Sequence, residues 1–237
     1  MVNSLALETG HYSSAGKKPE NQDRCGARQP PEPQLDMKGA AFAIADGISS
    51  SSVSAAASET AINSFLDDYY CTADAWSVQS AVEKVLQATN AWLHGQTQQS
   101  PYRFDQDKGY VCTFSAAIFR RNEAHLFHVG DSRIYRLRQG SLEQLTRDHR
   151  QWVGEQNSYL SRALGASPQL EVDYQSESLA RDDLFILTTD GIHEYLSQQQ
   201  FIALLHQHQD DLQRAAETLA NTALANGSCD NLTVQLV

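Results

Sequence analysis

Short apolar segments separated by turn residues fill residues 113–145, and they constrain the fold more than any other feature of this sequence. The segments read TFSAAIF, AHLFHVG, RIYRLR and LEQL, with polar turns at 121–123 and 139–141. Short alternating runs of this kind predict an antiparallel meander. A later segment, DLFILTT at 183–189, is almost wholly apolar, which predicts a strand that is buried on both faces.

The remaining strands are expected towards the two ends of the chain. One is predicted near 5–12. Another is predicted at 40–45, where the larger side chains of Phe42 and Ile44 alternate with alanines. The last strand is predicted where Leu232, Val234 and Leu236 alternate with polar residues.

Helical patterns lie between these predicted strands. The stretch SSSSVSAAASETAINSF offers hydroxyls that can cap a helix N-terminus, followed by apolar residues at helical spacing. Apolar residues recur at three- and four-residue steps over 78–92, which predicts a second helix that ends near Gly95. Two more helices are expected at 198–206 and 212–225. Loops are expected at 29–34 and 96–108.

Length and charge bound the class of protein. A chain of 237 residues suits a single mixed α and β domain, so one domain over 1–237 is expected. The 29 acidic and 18 basic residues give a net charge of −11, which disfavours nucleic acid and anionic membranes as partners. No basic leader and no run of ~20 apolar residues is present, so no membrane segment is expected.

The four cysteines stand far apart, without the spacing that tetrahedral zinc requires. We therefore expect reduced thiols and a cytoplasmic location.

Three aspartates occupy the same kind of position in the sequence. Asp46 in IADG, Asp131 in VGDSR and Asp190 in TTDG each follow a hydrophobic strand and stand beside a glycine. A carboxylate at a strand end is rigidly held, and glycine permits a tight turn. A fourth, Asp230, precedes the final strand. Each aspartate taken alone is more simply a turn former or a helix cap, so the set has to be weighed together.

The same aspartates belong to motifs in a fixed order. The motifs are KKPENQD (17–23), ADG (45–47), GDSR (130–133), LTRDH (145–149), RALG (162–165), TDG (189–191) and DN (230–231). Each string is weak by itself, but the ordered set is specific. Over 18–237 the chain thereby resembles the type 2C serine/threonine protein phosphatase family. The resemblance implies an α+β fold, a four-layer α-β-β-α sandwich with two mainly antiparallel sheets.

The resemblance also implies a metal centre made of these residues. Asp46 is expected to bridge two divalent cations, and the Gly47 carbonyl to join the first of them. Asp190 and Asp230 are expected to hold the second cation, and Asp131 matches a ligand of a third, more weakly held ion. All of these assignments come from the family, because spacing alone does not show that distant residues converge.

Two further residues are expected to take part in catalysis. Asp23 is implied to act through the waters of the ions, and Lys18 to bind the substrate phosphate. Mn²⁺ and Mg²⁺ prefer carboxylate, carbonyl and water oxygens. Two such ions roughly 3.5–4 Å apart can lower the pKa of a shared water for attack on phosphorus. The implied reaction is hydrolysis of phosphoserine and phosphothreonine in proteins.

The chain departs from the family pattern at several positions. Lys18 replaces an arginine, and lysine lacks the planar two-point grip of guanidinium on phosphate. Gln22 replaces the acidic residue before Asp23, serines at 49–52 replace glycines, and Glu194 replaces an aspartate common in DGxxD. Because the principal metal carboxylates remain, the pattern favours an active enzyme.

GHYSSAGKKPENQD and LTTDGIHEYL more specifically resemble the phosphatase portion that is fused to a bacterial serine/threonine kinase. The expected partners are therefore a phosphorylated protein and a cognate kinase, and the chain is expected to be a domain from a longer protein. Segment 149–162 is shorter than the flap of many bacterial relatives, which predicts altered substrate selection or simple loop shortening.

Two alternatives use the same residues differently. Lys18, Gln22 and the serine turn also suit a catalytically silent module that recognises a phosphoprotein or a kinase. The aspartates also suit an acid-rich scaffold without metals. Turnover of a phosphopeptide separates the first alternative from an enzyme, and manganese binding separates the second.

Overall fold

The computed structural model describes residues 6–153 and 157–237. The strands are β1 Gly10–Ser14, β2 Asp23–Arg28, β3 Ala40–Asp46, β4 Phe114–Arg120, β5 Glu123–Val129, β6 Arg133–Arg138, β7 Ser141–Gln144, β8 Arg150–Val153, β9 Asn157–Leu160, β10 Asp173–Ser178, β11 Leu184–Thr188 and β12 Leu232–Leu236. The helices are α1 Gln34–Lys38, α2 Ser54–Cys71, α3 Val78–Gln99, α4 Asp190–His193, α5 Gln198–Gln207 and α6 Leu212–Ala225, and a 3-10 turn spans Gln106–Lys108.

Two five-stranded sheets form the centre of the structure. The first sheet has the order β1-β12-β11-β6-β7, and the second has the order β10-β5-β4-β3-β2. Every neighbouring pair in both sheets is antiparallel. Strands β8 and β9 pair with each other as a separate hairpin.

An apolar layer joins the two sheets face to face. Phe119 in the second sheet meets Phe185 in the first, with ring centroids 5.1 Å apart in an edge-to-face arrangement. Phe42, Leu126 and Leu187 are buried in the same layer. Burial of each such side chain contributes about 1.5–3 kcal/mol, so this layer holds the sheets together.

Helices cover the outer faces of both sheets. Phe65 of α2 packs edge-to-face on Phe114 of the second sheet, at 5.2 Å between ring centroids, and α3 adds Leu86 to the same cluster. On the first sheet, α6 buries Leu219 in a cluster that also holds Val234. The predicted α+β fold, with its four-layer α-β-β-α order, is confirmed.

The predicted meander is correct for two hairpins but wrong as one sheet. Strands β4 and β5 pair in the second sheet, whereas β6 and β7 pair in the first. Gly130, with φ 114°, turns the chain out of β5. Alternation identifies a strand and its faces but does not choose its partner. Residues 130–132 therefore cross between the sheets, and Asp131 lies in this crossing.

The helix after the serines is confirmed as α2, but the predicted capping role is wrong. The N-cap residue is Val53, and no side chain caps this end of the helix. The hydroxyls are used elsewhere, because Ser51 donates to the Gly109 carbonyl at 2.8 Å and Ser50 donates to the Asp107 carbonyl. The serine turn is thereby tied to the loop after α3.

Several boundaries differ from the sequence prediction. The first strand begins at Gly10, later than the predicted 5–12, of which residue 5 lies outside the described residues. Helix α3 continues through Gly95 to Gln99, where a loop was predicted. Helix α1 occupies the chain just after the Pro-rich loop.

Strands β2 and β10 and the hairpin β8–β9 were not predicted. β2 reads DRCGAR and β10 reads DYQSES, and neither contains an apolar run. Among the described residues, no helix combines the length and the apolar composition needed to span a bilayer.

Candidate metal and phosphate site

Strand register brings the first two motifs of the chain together. β2 and β3 are antiparallel neighbours, and their register places Asp23 directly opposite Asp46. Asp190 begins α4 immediately after β11, and Asp230 precedes β12, the neighbour of β11. The crossing at 130–132 adds Asp131. The charges of all four other aspartates raise the pKa of Asp46, so the five carboxylates occupy one electrostatic neighbourhood.

Thr113 fixes Asp46 through the backbone. The Asp46 N–H donates to Thr113 Oγ1 at 2.9 Å, and the Thr113 N–H donates to the Asp46 carbonyl at 2.7 Å. Thr113 Oγ1 also shares a hydrogen bond with Ser132 Oγ at 2.7 Å. One threonine therefore ties the end of β3 to the crossing that carries Asp131.

Asp23 is 1% exposed and only half satisfied. Its Oδ2 accepts a hydrogen bond from Thr189 Oγ1 at 2.8 Å. Its Oδ1 has no hydrogen-bond partner within the described part of the chain. Burial raises the pKa of Asp23 to about 6. An unpaired buried carboxylate oxygen is costly and marks a place that suits a cation or a water.

The surroundings of two other carboxyl groups also raise their pKa values. Burial, followed by repulsion from Asp23 and Asp190, raises the pKa of Asp46 well above its usual range. Burial, with repulsion from Asp131 and Asp230, raises the pKa of Asp190 to about 7. Clustered carboxylates of this kind favour positive charge at the site.

Two basic side chains supply that charge in this structure. Arg150, at the start of β8, donates from Nε to Asp131 Oδ2 at 2.5 Å and from a terminal nitrogen to Asp190 Oδ2 at 3.0 Å. Its other terminal nitrogen donates to Glu194. Lys18 pairs with Asp230 at 2.5 Å. Arg150 was missed by the sequence interpretation, since its only signal is its position directly after LTRDH.

These ion pairs also affect whether the carboxylates can bind a metal ion. Among the residues that the structure describes, no three His, Cys, Asp or Glu side chains are arranged around one point where an ion would fit. Lys18 and Arg150 engage the carboxylates that the prediction assigns to ions. The oxygen donors fit hard cations in type, and Asp23 Oδ1 is left open. The Lys18 ammonium, 2.5 Å from Asp230 Oδ1, would repel an ion on that carboxylate, so Lys18 has to move away before Asp230 binds one.

Glycines keep the backbone of the motifs close together. A Cβ on Gly47 would lie 2.7 Å from the Ser54 carbonyl oxygen, and one on Gly191 would lie 1.9 Å from the Asn231 carbonyl oxygen. The Gly47 N–H donates to the Gln22 carbonyl at 3.2 Å. Side chains at these two positions would push the motifs apart.

The residues that depart from the family pattern all make polar contacts near the site. The Gln22 amide donates to the Ser51 carbonyl at 2.7 Å and to Ser54 Oγ at 2.6 Å, so it anchors the serine turn. Lys18 donates to Ser49 Oγ at 2.5 Å. Glu194 accepts a hydrogen bond from Arg150. These departures from the family pattern therefore each make polar contacts beside the acidic cluster.

The LTRDH motif holds the crossing from outside. Asp148 forms a two-point ion pair with Arg133, at 2.7 and 2.9 Å. The His149 backbone N–H donates to the Gly130 carbonyl, and the Gly130 N–H donates to His149 Nδ1 at 3.1 Å. His149 Nε2 then donates to Asp173 at 3.0 Å. The motif positions both ends of the crossing without entering the acidic cluster.

Comparison with known proteins gives the same family. The family model for protein phosphatase 2C matches residues 11–227. Serine/threonine protein phosphatase PstP of Mycobacterium tuberculosis is 27% identical over 210 residues, which are 81% of this chain and 39% of PstP. Serine/threonine phosphatase stp of Listeria welshimeri is 27% identical over 216 residues, 82% of each protein. The chain thus spans less than half the length of PstP.

A solved structure shows the same fold. The catalytic domain of serine threonine protein phosphatase PstP, determined with two manganese ions, superimposes with a TM-score of 0.77. The alignment covers 97% of this chain and 96% of that one, at 24% identity. Since the family match over residues 11–227 covers most of the chain and includes every aspartate motif except that of Asp230, and since the fold agrees over nearly the whole chain, this protein belongs to the protein phosphatase 2C family.

Proposed function

We propose that this chain hydrolyses phosphoserine and phosphothreonine esters in proteins with two bound divalent cations, manganese or magnesium. The observation that carries the proposal is the β2–β3 register, which sets Asp23 opposite Asp46 within electrostatic reach of Asp190 and Asp230. The named relatives are serine/threonine phosphatases, and PstP holds two manganese ions.

The ligand set follows from where the carboxylates lie. Asp46 is central to the cluster and would bridge the two ions, with the Gly47 carbonyl on one of them. Asp190 and Asp230 would hold the other. For Asp230 to do so, its ion pair with Lys18 has to open. The freed ammonium group is then available to a phosphate oxygen, so metal loading and phosphate binding are linked through Lys18.

The pair of ions, when bound, supplies the charge that acidifies a water and offsets the charge of the phosphate oxygens. The chain's own residues position the reactants. Asp23 Oδ1 can accept a hydrogen bond from a water in the site, while Thr189 holds Oδ2 in place. Lys18 Nζ donates to the phosphate as a point charge. Thr113 and Gly47 keep Asp46 in register with these groups.

The substrate, the partner and the cellular location are also part of the proposal. The substrate is a phosphorylated protein, and a cognate serine/threonine kinase is the proposed partner. Residues 1–237 would act as one phosphatase domain, because the two sheets share a continuous apolar layer. A cytoplasmic location is proposed from the four cysteines, which are all free thiols.

A silent binding module is the second candidate function. It is favoured by the observation that Lys18 and Arg150 already neutralise carboxylates of the site. In that case the sandwich would recognise a phosphoprotein or a kinase without turnover.

Phosphate release from a phosphothreonine peptide, measured with and without manganese, distinguishes the two functions. The wild-type protein should turn over only with the metal. Asp46→Asn and Asp190→Asn should each lower kcat/KM by about 100-fold or more, because each removes a charge that holds the ions. Asp210→Asn, an exposed carboxylate between α5 and α6, should leave kcat/KM unchanged.

Circular dichroism and elemental analysis complete this experiment. A wild-type protein that is folded, contains manganese and shows no turnover would establish the silent module. A folded wild-type protein that binds no manganese would favour the acid-rich scaffold.

A further inference from the structure

Arg150 is the most fully engaged cation of the acidic site. Its three guanidinium nitrogens contact three different carboxylates, those of Asp131, Asp190 and Glu194. The contacts come from the sheet crossing, from the first residue of α4 and from the C-terminal end of α4. The Arg150 side chain is 18% exposed and that of Asp131 is 8% exposed, so the pair lies largely out of water.

We propose that Arg150 is a resident cation that occupies the position of a metal ion at Asp131, so that this chain binds two ions at its active site where Asp131 would otherwise support a third. The inference rests on the proposed dimetal function, and it concerns only which part of the acidic cluster is open to ions.

Geometry supports a permanent role for the guanidinium. Arginine presents donors in a planar fork, and charge-assisted hydrogen bonds to partly buried carboxylates are among the stronger polar contacts in proteins. A surface arginine that merely approached the cluster would satisfy one carboxylate. Arg150 satisfies three, and the Glu194 side chain, one methylene longer than the aspartate expected there, extends to complete the set.

Charge supports the exclusion of an ion. A divalent cation on Asp131 would share that carboxylate with a guanidinium whose Nε is already 2.5 Å from Oδ2. Like charges at this separation repel strongly where solvent screens them little. Displacing Arg150 would also leave Glu194 without this partner, so an ion would have to outcompete all three contacts.

The arrangement does not block the other ion positions. Arg150 lies 3.0 Å from Asp190 Oδ2, farther than its 2.5 Å from Asp131, and the Asp190 side chain is 24% exposed against 8% for Asp131. The guanidinium therefore repels an ion on Asp190 Oδ1 less, because the charges are farther apart and better screened. The partner of Asp230 is Lys18, which offers a single ammonium group and whose side chain is 22% exposed. Lysine on a flexible stem leaves a carboxylate more readily than a three-point guanidinium contact does. The Asp46–Asp230 side is therefore open to metal while the Asp131 side is closed.

The number of manganese ions bound at saturation tests this inference. Equilibrium dialysis followed by elemental analysis should give two ions per chain for the wild-type protein and three for Arg150→Met, which keeps the aliphatic stem and loses the charge. Arg150→Lys should stay at two, because the charge is retained. The double variant Arg150→Met with Asp131→Asn should return to two, which places the additional ion at Asp131.

A matched control uses another arginine that makes two contacts with one aspartate. Arg121 binds Asp36 at 3.1 and 3.2 Å. It follows β4, at the opposite end of that strand from Thr113, and Arg121→Met should still give two ions. If folded Arg150→Met binds two ions like the wild type, or if the wild type binds three, this inference is wrong while the dimetal site stands. If neither protein binds manganese, the metal centre itself is wrong. Should Arg150→Met not fold, Arg150→Gln replaces it in the same comparison.

Discussion

Burial shifts the pKa values of single side chains in this protein. Asp23 and Asp46 face each other across two strands, and burial raises the pKa of both carboxyl groups. Lys18 and Arg150 offset part of this charge at the edge of the cluster. Bound divalent cations would offset more of it, because two ions bring up to four positive charges to the same oxygens.

His128 is a buried residue in which the same effect acts in the opposite direction. Its Nδ1 shares a hydrogen bond with Ser115 Oγ at 2.9 Å, and its Nε2 donates to the Arg147 carbonyl at 3.1 Å. The ring of His149 lies 4.8 Å away, centroid to centroid. Burial, with a smaller effect of His149, lowers the pKa of His128 from 6.5 to about 4. The charges of Asp173 and Asp148 oppose this shift but are smaller.

The shift predicts that His128 destabilises the folded protein in mild acid. The unfolded chain protonates this histidine near pH 6.5, whereas the folded chain keeps it neutral down to about pH 4. At this residue the unfolded state therefore binds more protons in this window, so the contribution of His128 to the free energy of unfolding falls as the pH decreases. The raised pKa values of Asp23 and Asp190 act in the opposite direction over the same window, so the effect of His128 is measured as a difference between the wild type and a variant. Above pH 6.5 the contribution of His128 is complete. Urea unfolding at pH 7.5, 6 and 5, without metal, measures the slope.

Two variants isolate the effect of His128. His128→Gln should be less stable than the wild type at pH 7.5, and the difference in unfolding free energy between the two proteins should shrink as the pH decreases from 6.5 to 4. His206→Gln, at an exposed position in α5, should keep the wild-type slope. His193, whose pKa burial lowers to about 3, maintains part of the slope in both. An unchanged slope in His128→Gln would contradict the assignment of a neutral buried histidine.

At the scale of single elements, two glycines differ in whether a side chain would fit at their position. A Cβ on Gly26 of β2 would lie 2.6 Å from Leu66 Cδ1 and 2.7 Å from Ile62 Cγ2, both on α2. A Cβ on Gly95 of α3 would meet nothing within 4 Å. Gly26 therefore allows the close approach of α2 to β2, whereas Gly95 makes no comparable packing contact.

Alanine at these positions should change stability in opposite directions. Gly26→Ala should lower the free energy of unfolding by about 1–3 kcal/mol, the usual cost of overpacking a core contact. Gly95→Ala should raise it by about 0.5–1 kcal/mol, because alanine loses less backbone entropy in a helix. Urea midpoints for the two variants and the wild type measure both effects. A Gly26→Ala protein as stable as Gly95→Ala would show that α2 and β2 do not pack this closely.

The elements also show what could be predicted from the sequence. Apolar alternation identified β4, β5, β6 and β7 and the buried β11, because a half-buried or buried strand needs such residues. It did not show that β5 and β6 belong to different sheets, since partner choice depends on long-range packing. β2 was missed because its sequence has no apolar run, although its register positions Asp23. Gly95 suggested the end of a helix, but tertiary contacts of α3 continue the helix beyond it.

For the candidate site, the sequence predicts the residue types but not their contacts. The aspartates were predicted from their positions after strands and from the ordered motifs. The contacts of Arg150 were not, because nothing in the sequence shows that a residue after LTRDH reaches α4. Gln22 was interpreted as a lost charge, whereas its amide anchors the serine turn. Such roles depend on distances between residues far apart in the chain.

At the scale of the whole molecule, the site depends on both sheets. Asp23 and Asp46 come from the second sheet, and Asp190 and Asp230 flank neighbouring strands of the first. Asp131 lies where the chain crosses between them. The apolar layer around Phe119 and Phe185 keeps the sheets in register, so the sandwich itself determines the spacing of the carboxylates.

Crystals grown with manganese, measured at a wavelength where manganese scatters anomalously, test the central claim directly. We predict two anomalous peaks about 3.5–4 Å apart, with Asp46 in contact with both and with Asp190 and Asp230 at one of them. The ion pair between Lys18 and Asp230 should be open in that structure. A map without peaks beside Asp46, with the Lys18–Asp230 pair intact at millimolar manganese, would contradict the proposed metal centre.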